Sequence, residues 1–356
     1  MAPAPAGREH VAYQAFLGAA RRFWSEAMLP VLSAEAATVR AGRPGLDETA
    51  LAELLSARGT YGFFCWLERH LQRMKYSAPR GLVAAAERDA DAIRAYLDRP
   101  LRPGALRLAP EVVPPGWYAE WDIHQQPGGL AGSDLAGAIY RAAAGGSGGV
   151  VARNGLHERF AACVARHMPG GWDRLVDLGC GFGKSTLPLA QARPGAEVVG
   201  IDLSAPCLRL AAQIAEDLGL ASTRFVRADA LRSGLPASGA DVVTSTMLLH
   251  EMPPEAIAAM LREAHRLLRP GGLSIHLDFL PRDDAFLRLL HFGHGRRNNE
   301  PFMEPLARMD LAAAHEAAGL EAMRIEEFED EDGALARPDG RKWRLPWAVI
   351  IARKPG

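Results

Sequence analysis

The sequence predicts an α/β fold: a doubly wound, mostly parallel seven-stranded sheet with an antiparallel last strand, preceded by a helical N-terminal domain. Three observations predict it. In the second half, short and nearly continuous apolar runs alternate with helical stripes, as expected for strands buried on both faces of a parallel sheet. One such run, Val176-Asp177-Leu178, leads straight into a turn with glycine at 179, 181 and 183. The first half instead carries apolar residues at helical spacing up to a proline-rich connector.

Residues 1–116 read as the helical domain. Met1–Gly7 lacks a charged n-region and an apolar h-region and is expected to be a disordered start. Val11, Ala15, Phe16, Ala19 and Phe23 recur at helical spacing, and that helix is expected to end before Pro30. Asp47 precedes a short helix through Leu51, Leu54 and Leu55 that stops near Gly59. Thr60 is placed to cap a third helix carrying Phe63, Phe64, Leu67, Leu71 and Met74, and another runs from Leu82 to Leu97. The aromatic stripe of this bundle is expected to be core or a homodimer face. A DNA-reading helix-turn-helix would need a basic surface, which the slight excess of Lys and Arg here does not supply.

Pro100 to Gly116 reads as an extended connector. Residues 117–152 then form a second connector, with the polar-aromatic run Trp117 to Gly129 and a glycine-rich stretch to Gly149 interrupted by an apolar helix from Leu135 to Ala142.

The glycine turn lets a ligand approach main chain that a Cβ would shield. Several ligands use such turns. A dinucleotide fingerprint would place its third glycine on Lys184, and a phosphate P-loop would place its first on Leu178. A ligand-free turn between strand and helix satisfies the local pattern as well. The following strands narrow the reading. Glu197 to Asp202 is apolar and ends in a carboxylate placed to accept hydrogen bonds from ribose hydroxyls. Ser204 caps a helix with Leu208, Ala211, Ala212, Ala215 and Leu218 on one stripe, stopped by Gly219. Thr223 to Asp229 is a third strand whose terminal Asp could receive an adenine amino group. Asp241 to Thr246 is a fourth, running into Met247-Leu248-Leu249-His250-Glu251. A helix through Ile257, Met260, Leu261, Ala264, Leu267 and Leu268 ends at Arg269-Pro270-Gly271-Gly272, and Leu273 to Asp278 is a fifth strand. Leu306 to Ala318 is helical by period. Glu321 to Phe328 and Trp347 to Ala352 read as closing strands joined by a charged hairpin, the last inserting before the penultimate one.

With these residues in view, the chain from about residue 153 to the C-terminus resembles the class I S-adenosylmethionine-dependent methyltransferases. It looks closest to the branch that includes ubiquinone- and menaquinone-pathway enzymes and many small-molecule methyltransferases. VDLGCGFG, GIDLS, RADA, DVVTSTMLLHEMP and LLRPGG carry the resemblance. It implies a Rossmann-like domain over 153–356 with S-adenosyl-L-methionine as cofactor and S-adenosyl-L-homocysteine as product. Asp177, Gly179, Gly181 and Gly183 are then expected to hold the methionine half and Asp202 the ribose. Leu203 lies against the adenine, Asp229 and Ala230 hold its edge, and Thr246 completes the cofactor set. The implied reaction is direct in-line methyl transfer to a small-molecule acceptor. The alternative is a catalytically silent cofactor-binding regulatory or scaffold protein.

Segments just before the first motif commonly shape the acceptor pocket in this class, which makes Tyr118, Trp121, His124 and Tyr140 candidate substrate residues. His250, then Glu251, are the candidate catalytic bases, since a base matters wherever the acceptor is protonated at working pH. Asp278 points toward the same pocket edge. Arg297, or Arg296 beside it, could read a substrate carboxylate through its planar donor fork. His276, His291 and His294 lack the H-x-x-x-H spacing of a helical metal pair; a solvated or lid-forming loop is expected there, and no metal.

Composition bounds these readings. The 356 residues leave room for two domains at ~100–200 residues each, and a net charge of −1 gives no polyanion signal, so no nucleic-acid partner is expected. No apolar run reaches the ~18 residues of a membrane span. The four cysteines, Cys65, Cys163, Cys180 and Cys207, form no C-x-x-C pair, and a reduced, cytoplasmic protein is expected.

Overall fold

The apolar runs of the second half fold into strands, as a computed structural model describing residues 7–144, 155–329 and 346–356 makes plain. The expected disordered start, the glycine-rich stretch to Gly149, the boundary at 152/153 and most of the charged hairpin lie outside the described residues. The strands are β1 (Leu106–Arg107), β2 (Arg174–Leu178), β3 (Glu197–Asp202), β4 (Thr223–Arg227), β5 (Ala240–Thr246), β6 (Leu268–Phe279), β7 (Glu321–Glu327) and β8 (Trp347–Arg353). They form one sheet in the order β1-β4-β3-β2-β5-β6-β8-β7. β8 runs antiparallel between β6 and β7, as expected.

The sheet has eight strands among the described residues, one more than expected. The addition is β1, drawn from the proline-rich connector. It pairs in parallel with β4, with Leu106 opposite Phe225, and so covers that strand's open edge. Alternation of side chains splits the core in two. Val176 and Leu178 of β2 pack with Ile257, Met260 and Leu261 on one face. Leu175, Val198 and Val242 pack with Phe160 and Val164 on the other.

β2 is the switch point. It pairs with β3 on one side and with β5 on the other, so the chain's order reverses there and a crevice opens beyond the C-terminal ends of these strands. Asp177, Asp202, Asp229, Thr246 and Asp278 all stand at or just beyond such ends. The site is where the topology puts it.

The N-terminal helices differ in detail from the sequence reading. Helical structure continues through Pro30: Arg8–Arg22, a π-helical turn Phe23–Met28 and Leu29–Arg40 follow without a break. Pro30 follows closely on the π-helical turn, where the regular α-helical hydrogen-bond ladder is already interrupted. Arg58, not Thr60, precedes the helix Gly59–Ser77, and the Thr60 hydroxyl instead donates to Glu35 Oε1 at 2.7 Å. Asp47 caps Glu48–Ser56 through Thr49 N and Ala50 N. The helix expected over Leu82 to Leu97 divides at Asp89 into Leu82–Arg88 and Ala90–Leu97. That over Leu306 to Ala318 divides into Met303–Ala307 and Leu311–Ala317, the second capped by Asp310.

The N-terminal helices also turn different faces inward. Phe16 is 55% exposed, Phe23 52% and Phe63 48%, whereas Leu17 and Trp24 are buried. Trp24 stacks on Phe64 at 4.7 Å and donates its indole N–H to Phe64 O. These residues share a core with Phe286, Leu289 and Leu290 of the helix Ala285–Asn298. Of the three histidines expected on a loop, His291 and His294 therefore lie on a helix packed on the N-terminal bundle, and His276 lies in β6.

A candidate cofactor and acceptor site

The turn after β2 is built for close approach. Gly179, Gly181 and Gly183 have φ of 65°, 54° and 84°, values that L side chains adopt only under strain. A Cβ on Gly179 would come within 2.6 Å of Leu248 Cδ1. Two carboxylates hold the turn in place. Asp177, buried, accepts hydrogen bonds from Thr186 Oγ1 at 2.6 Å and Thr244 Oγ1 at 2.8 Å, tying β2 to β5 and to the helix Thr186–Ala192. Burial pushes its pKa up to about 6, against the pull of those hydroxyls. Asp202 accepts from Gly181 N at 2.8 Å and Ser204 N at 2.7 Å, linking the turns after β2 and β3. Burial raises its pKa as well, with those amides pulling the other way. Asp229 accepts from Leu231 N at 2.8 Å.

A cleft opens over this turn. The three glycines, Asp177, Asp202, Leu203, Asp229, Ala230 and Thr246 all line it. So do Tyr118, Trp121 and Tyr140 from the connector and Glu251 from the loop after β5. Most residues singled out from the sequence are thus brought to one wall. Four lining residues carry a buried polar atom with no hydrogen-bond partner among the described residues: Tyr118 Oη, His157 Nε2, Thr246 Oγ1 and Glu251 Oε2. Each such atom costs about 1–3 kcal/mol unless something satisfies it. His157 is held by Ser185 Oγ at 2.6 Å, and burial keeps it neutral with a pKa near 3.

His250, Asp278, His124 and Arg297 stand behind or away from that wall. His250 is buried; its Nδ1 lies 2.6 Å from Asp278 Oδ1 and its Nε2 3.4 Å from Glu251 Oε1. His124 approaches the same Glu251 oxygen at 3.3 Å through Nε2, while its Nδ1 meets Glu300 Oε1 at 2.9 Å. Glu251 therefore sits between two imidazoles, each backed by a carboxylate. Burial opposes charge on both rings, but the carboxylates outweigh it. His250 stands well above the ordinary histidine pKa and His124 is also raised. Glu300 is held down at about 2, its burial overcome chiefly by His124. Arg297 is elsewhere: its guanidinium bonds Glu68 and Cys65 Sγ, clamping Ala285–Asn298 to the N-terminal bundle.

Sequence reasoning did not single out Glu300, His157, Thr186 or Thr244. The bond from His124 to Glu300 spans 176 positions, and no local pattern signals it. One trio away from the cleft, Cys163, His167 and Glu326, has metal-ligand spacing. Arg166 donates to Cys163 Sγ and Arg324 to Glu326 Oε1, so guanidinium groups already occupy that cluster.

Comparison with known proteins agrees with this geometry. Residues 175–272 match the family described as Methyltransferase domain. Demethylmenaquinone methyltransferase of Thermus thermophilus is 40% identical over 108 residues, 30% of this chain and 48% of that protein. Trans-aconitate 2-methyltransferase of an Azoarcus species is 40% identical over 28% of this chain and 36% of its own length. An uncharacterized methyltransferase of a Synechocystis species is 30% identical over 176 residues, 48% of this chain and 77% of that protein. The chain spans about half or less of the first two relatives' lengths. Sheet order, the glycine turn with its terminal carboxylates, and a relative matched over most of its length converge: the chain belongs to the class I S-adenosylmethionine-dependent methyltransferase family.

Proposed function

We propose that the protein transfers a methyl group from S-adenosylmethionine to a small-molecule acceptor by direct in-line displacement, releasing S-adenosylhomocysteine. The observation that carries this is the glycine turn after β2, which leaves main chain open to a cleft lined by the strand-end carboxylates Asp177, Asp202 and Asp229. The cleft fits the cofactor on its own chemistry. Gly179, Gly181 and Gly183 leave main chain open to the methionine half, beside Asp177 and His157. Asp202 has lone pairs left for ribose hydroxyls, and Leu203, Asp229 and Ala230 bracket an adenine. Thr246 stands between this set and Glu251. The cofactor supplies a sulfonium-bound methyl that is already electrophilic, so the chain's task is alignment and exclusion of water.

Glu251, rather than His250 directly, is the group that meets an acceptor, with His250 and His124 holding it from behind. Tyr118, Trp121 and Tyr140 shape the acceptor side. Asp278 acts through His250, and Arg297 serves the scaffold.

Single-turnover reaction of the full chain with methyl-labelled cofactor and a metabolite extract tests this reading. Label should pass to a small-molecule product. Cofactor binding without any transfer would favour a silent regulatory or scaffold protein instead.

A further inference from the structure

Within the methyl-transfer reading above, on which this rests, we infer that the acceptor is an uncharged molecule with a flat apolar body, methylated at a hydroxyl oxygen whose proton Glu251 takes.

Charge comes first. Asp177, Asp202, Asp229 and Glu251 all line the cleft, and among the described lining residues the one cation is Lys184. Its ammonium is disfavoured by burial and donates to Ala144 O. Arg227 is committed to Leu203 O and Ala109 O, and Arg297, away from the cleft, to Glu68. A carboxylate or phosphate on the acceptor would be desolvated among carboxylates with no fork to meet it. Shape comes second. Trp117, Trp121, Tyr140 and Phe182 bring four rings to the wall, joined by Ile123 and Leu130. Tyr140 meets Phe182 edge to face at 5.4 Å. Such a wall takes a flat apolar body and keeps water from the reacting atom.

The reacting atom follows from the base. A neutral amine attacks through its lone pair and sheds its proton to water afterwards. A hydroxyl is protonated at working pH and gains from a base in contact with it. Glu251 is such a base, lining the cleft, with one oxygen shared by His124 and His250 and the other without a partner among the described residues. Two carboxylates, Glu300 and Asp278, anchor those rings at 2.9 and 2.6 Å. This is far more construction than an amine requires. In the step, an oxygen lone pair forms the new O–CH3 bond, and the sulfur–methyl bond breaks with its electron pair returning to sulfur. The hydroxyl proton passes to Glu251 Oε2, so a neutral ether, a neutral thioether and a protonated carboxyl result.

The test uses 1-naphthol, 1-naphthoic acid and 1-naphthylamine, which share one ring system. Each is titrated calorimetrically into the full chain saturated with S-adenosylhomocysteine. Naphthol should bind at least about tenfold more tightly than either analogue, and Glu251→Gln should erase that preference. Glu300→Gln, which leaves Glu251 in place, should reduce it severalfold and serves if the first variant does not fold. Naphthoate bound as well as naphthol, or no discrimination among the three, including no binding at all, overturns the inference. With homocysteine-product binding intact, such a result leaves the methyl-transfer reading standing. Failure of the wild-type chain to bind that product removes both.

Discussion

Asp177 keeps both oxygens on threonine hydroxyls in a fully buried position, and its pKa near 6 has a measurable consequence. A carboxyl raised from 3.8 to about 6 in the folded state binds a proton more tightly there than in the unfolded chain. Between those values stability therefore falls as pH rises, by about 3 kcal/mol for two pH units. Asp177→Asn, which retains the shape and can still pair with both threonines, should remove that slope. The difference in melting temperature between variant and wild type, followed from pH 4.5 to 7, is the measurement. A constant difference would count against a neutral Asp177. At Gly179, alanine meets both a φ of 65° and Leu248 Cδ1 at 2.6 Å. We expect Gly179→Ala to cost about 1–2 kcal/mol in thermal unfolding from the backbone alone. It should also weaken product binding, because Gly179 and Leu248 both line the cleft. At this scale the sequence was a good guide wherever the chemistry is local. The three glycines and the carboxylates of Asp177 and Asp202 follow from adjacent strand and turn residues. The pairing of His124 with Glu300 depends on two distant segments meeting, and nothing near either residue announces it.

Among the elements, strands were more legible than helices, for a physical reason. A strand buried on both faces is apolar throughout, so its position needs no choice of face. The helix Arg8–Arg22 has apolar residues around most of its circumference, and His10 and Gln14 are buried where aliphatic residues would be expected. His10 reaches Arg80 O and Tyr13 donates to Met74 O, and these bonds help turn Leu17 inward and leave Phe16 out. Position 16 and position 24 should therefore respond oppositely. Phe16→Ser should change stability by no more than about 0.5 kcal/mol, while Trp24→Ala should cost about 3–5 kcal/mol in denaturant unfolding. Val11, Phe16, Phe23 and Phe63 are all exposed, and we propose that a homodimer forms through these residues. Sedimentation should then give a concentration-dependent mass for the wild type that Phe16→Asp abolishes. A monomer at all concentrations would assign these residues to something else. β1 escaped notice because two connector residues beside prolines carry no strand periodicity. They pair only because the edge of β4 is open to them.

Across the whole molecule, the N-terminal helices are joined to the sheet-bearing region rather than merely preceding it. Phe286, Leu289 and Leu290 complete the first bundle's core, and Tyr96 and Leu97 pack with Cys207 and Leu210 beside the cleft. The connector between them brings Tyr118, Trp121 and Tyr140 onto the wall and His124 behind it. No helix among the described residues is long and apolar enough to cross a membrane. We propose that the crevice at the β2 switch point is an adenosyl-cofactor site ordered by Asp202. Calorimetric titration of S-adenosylhomocysteine into the wild type and Asp202→Ala tests it most directly. One molecule should bind per wild-type chain, and the variant should bind more weakly by about 1–3 kcal/mol while remaining folded. No heat with the wild type, or equal affinity in the two proteins, would contradict it.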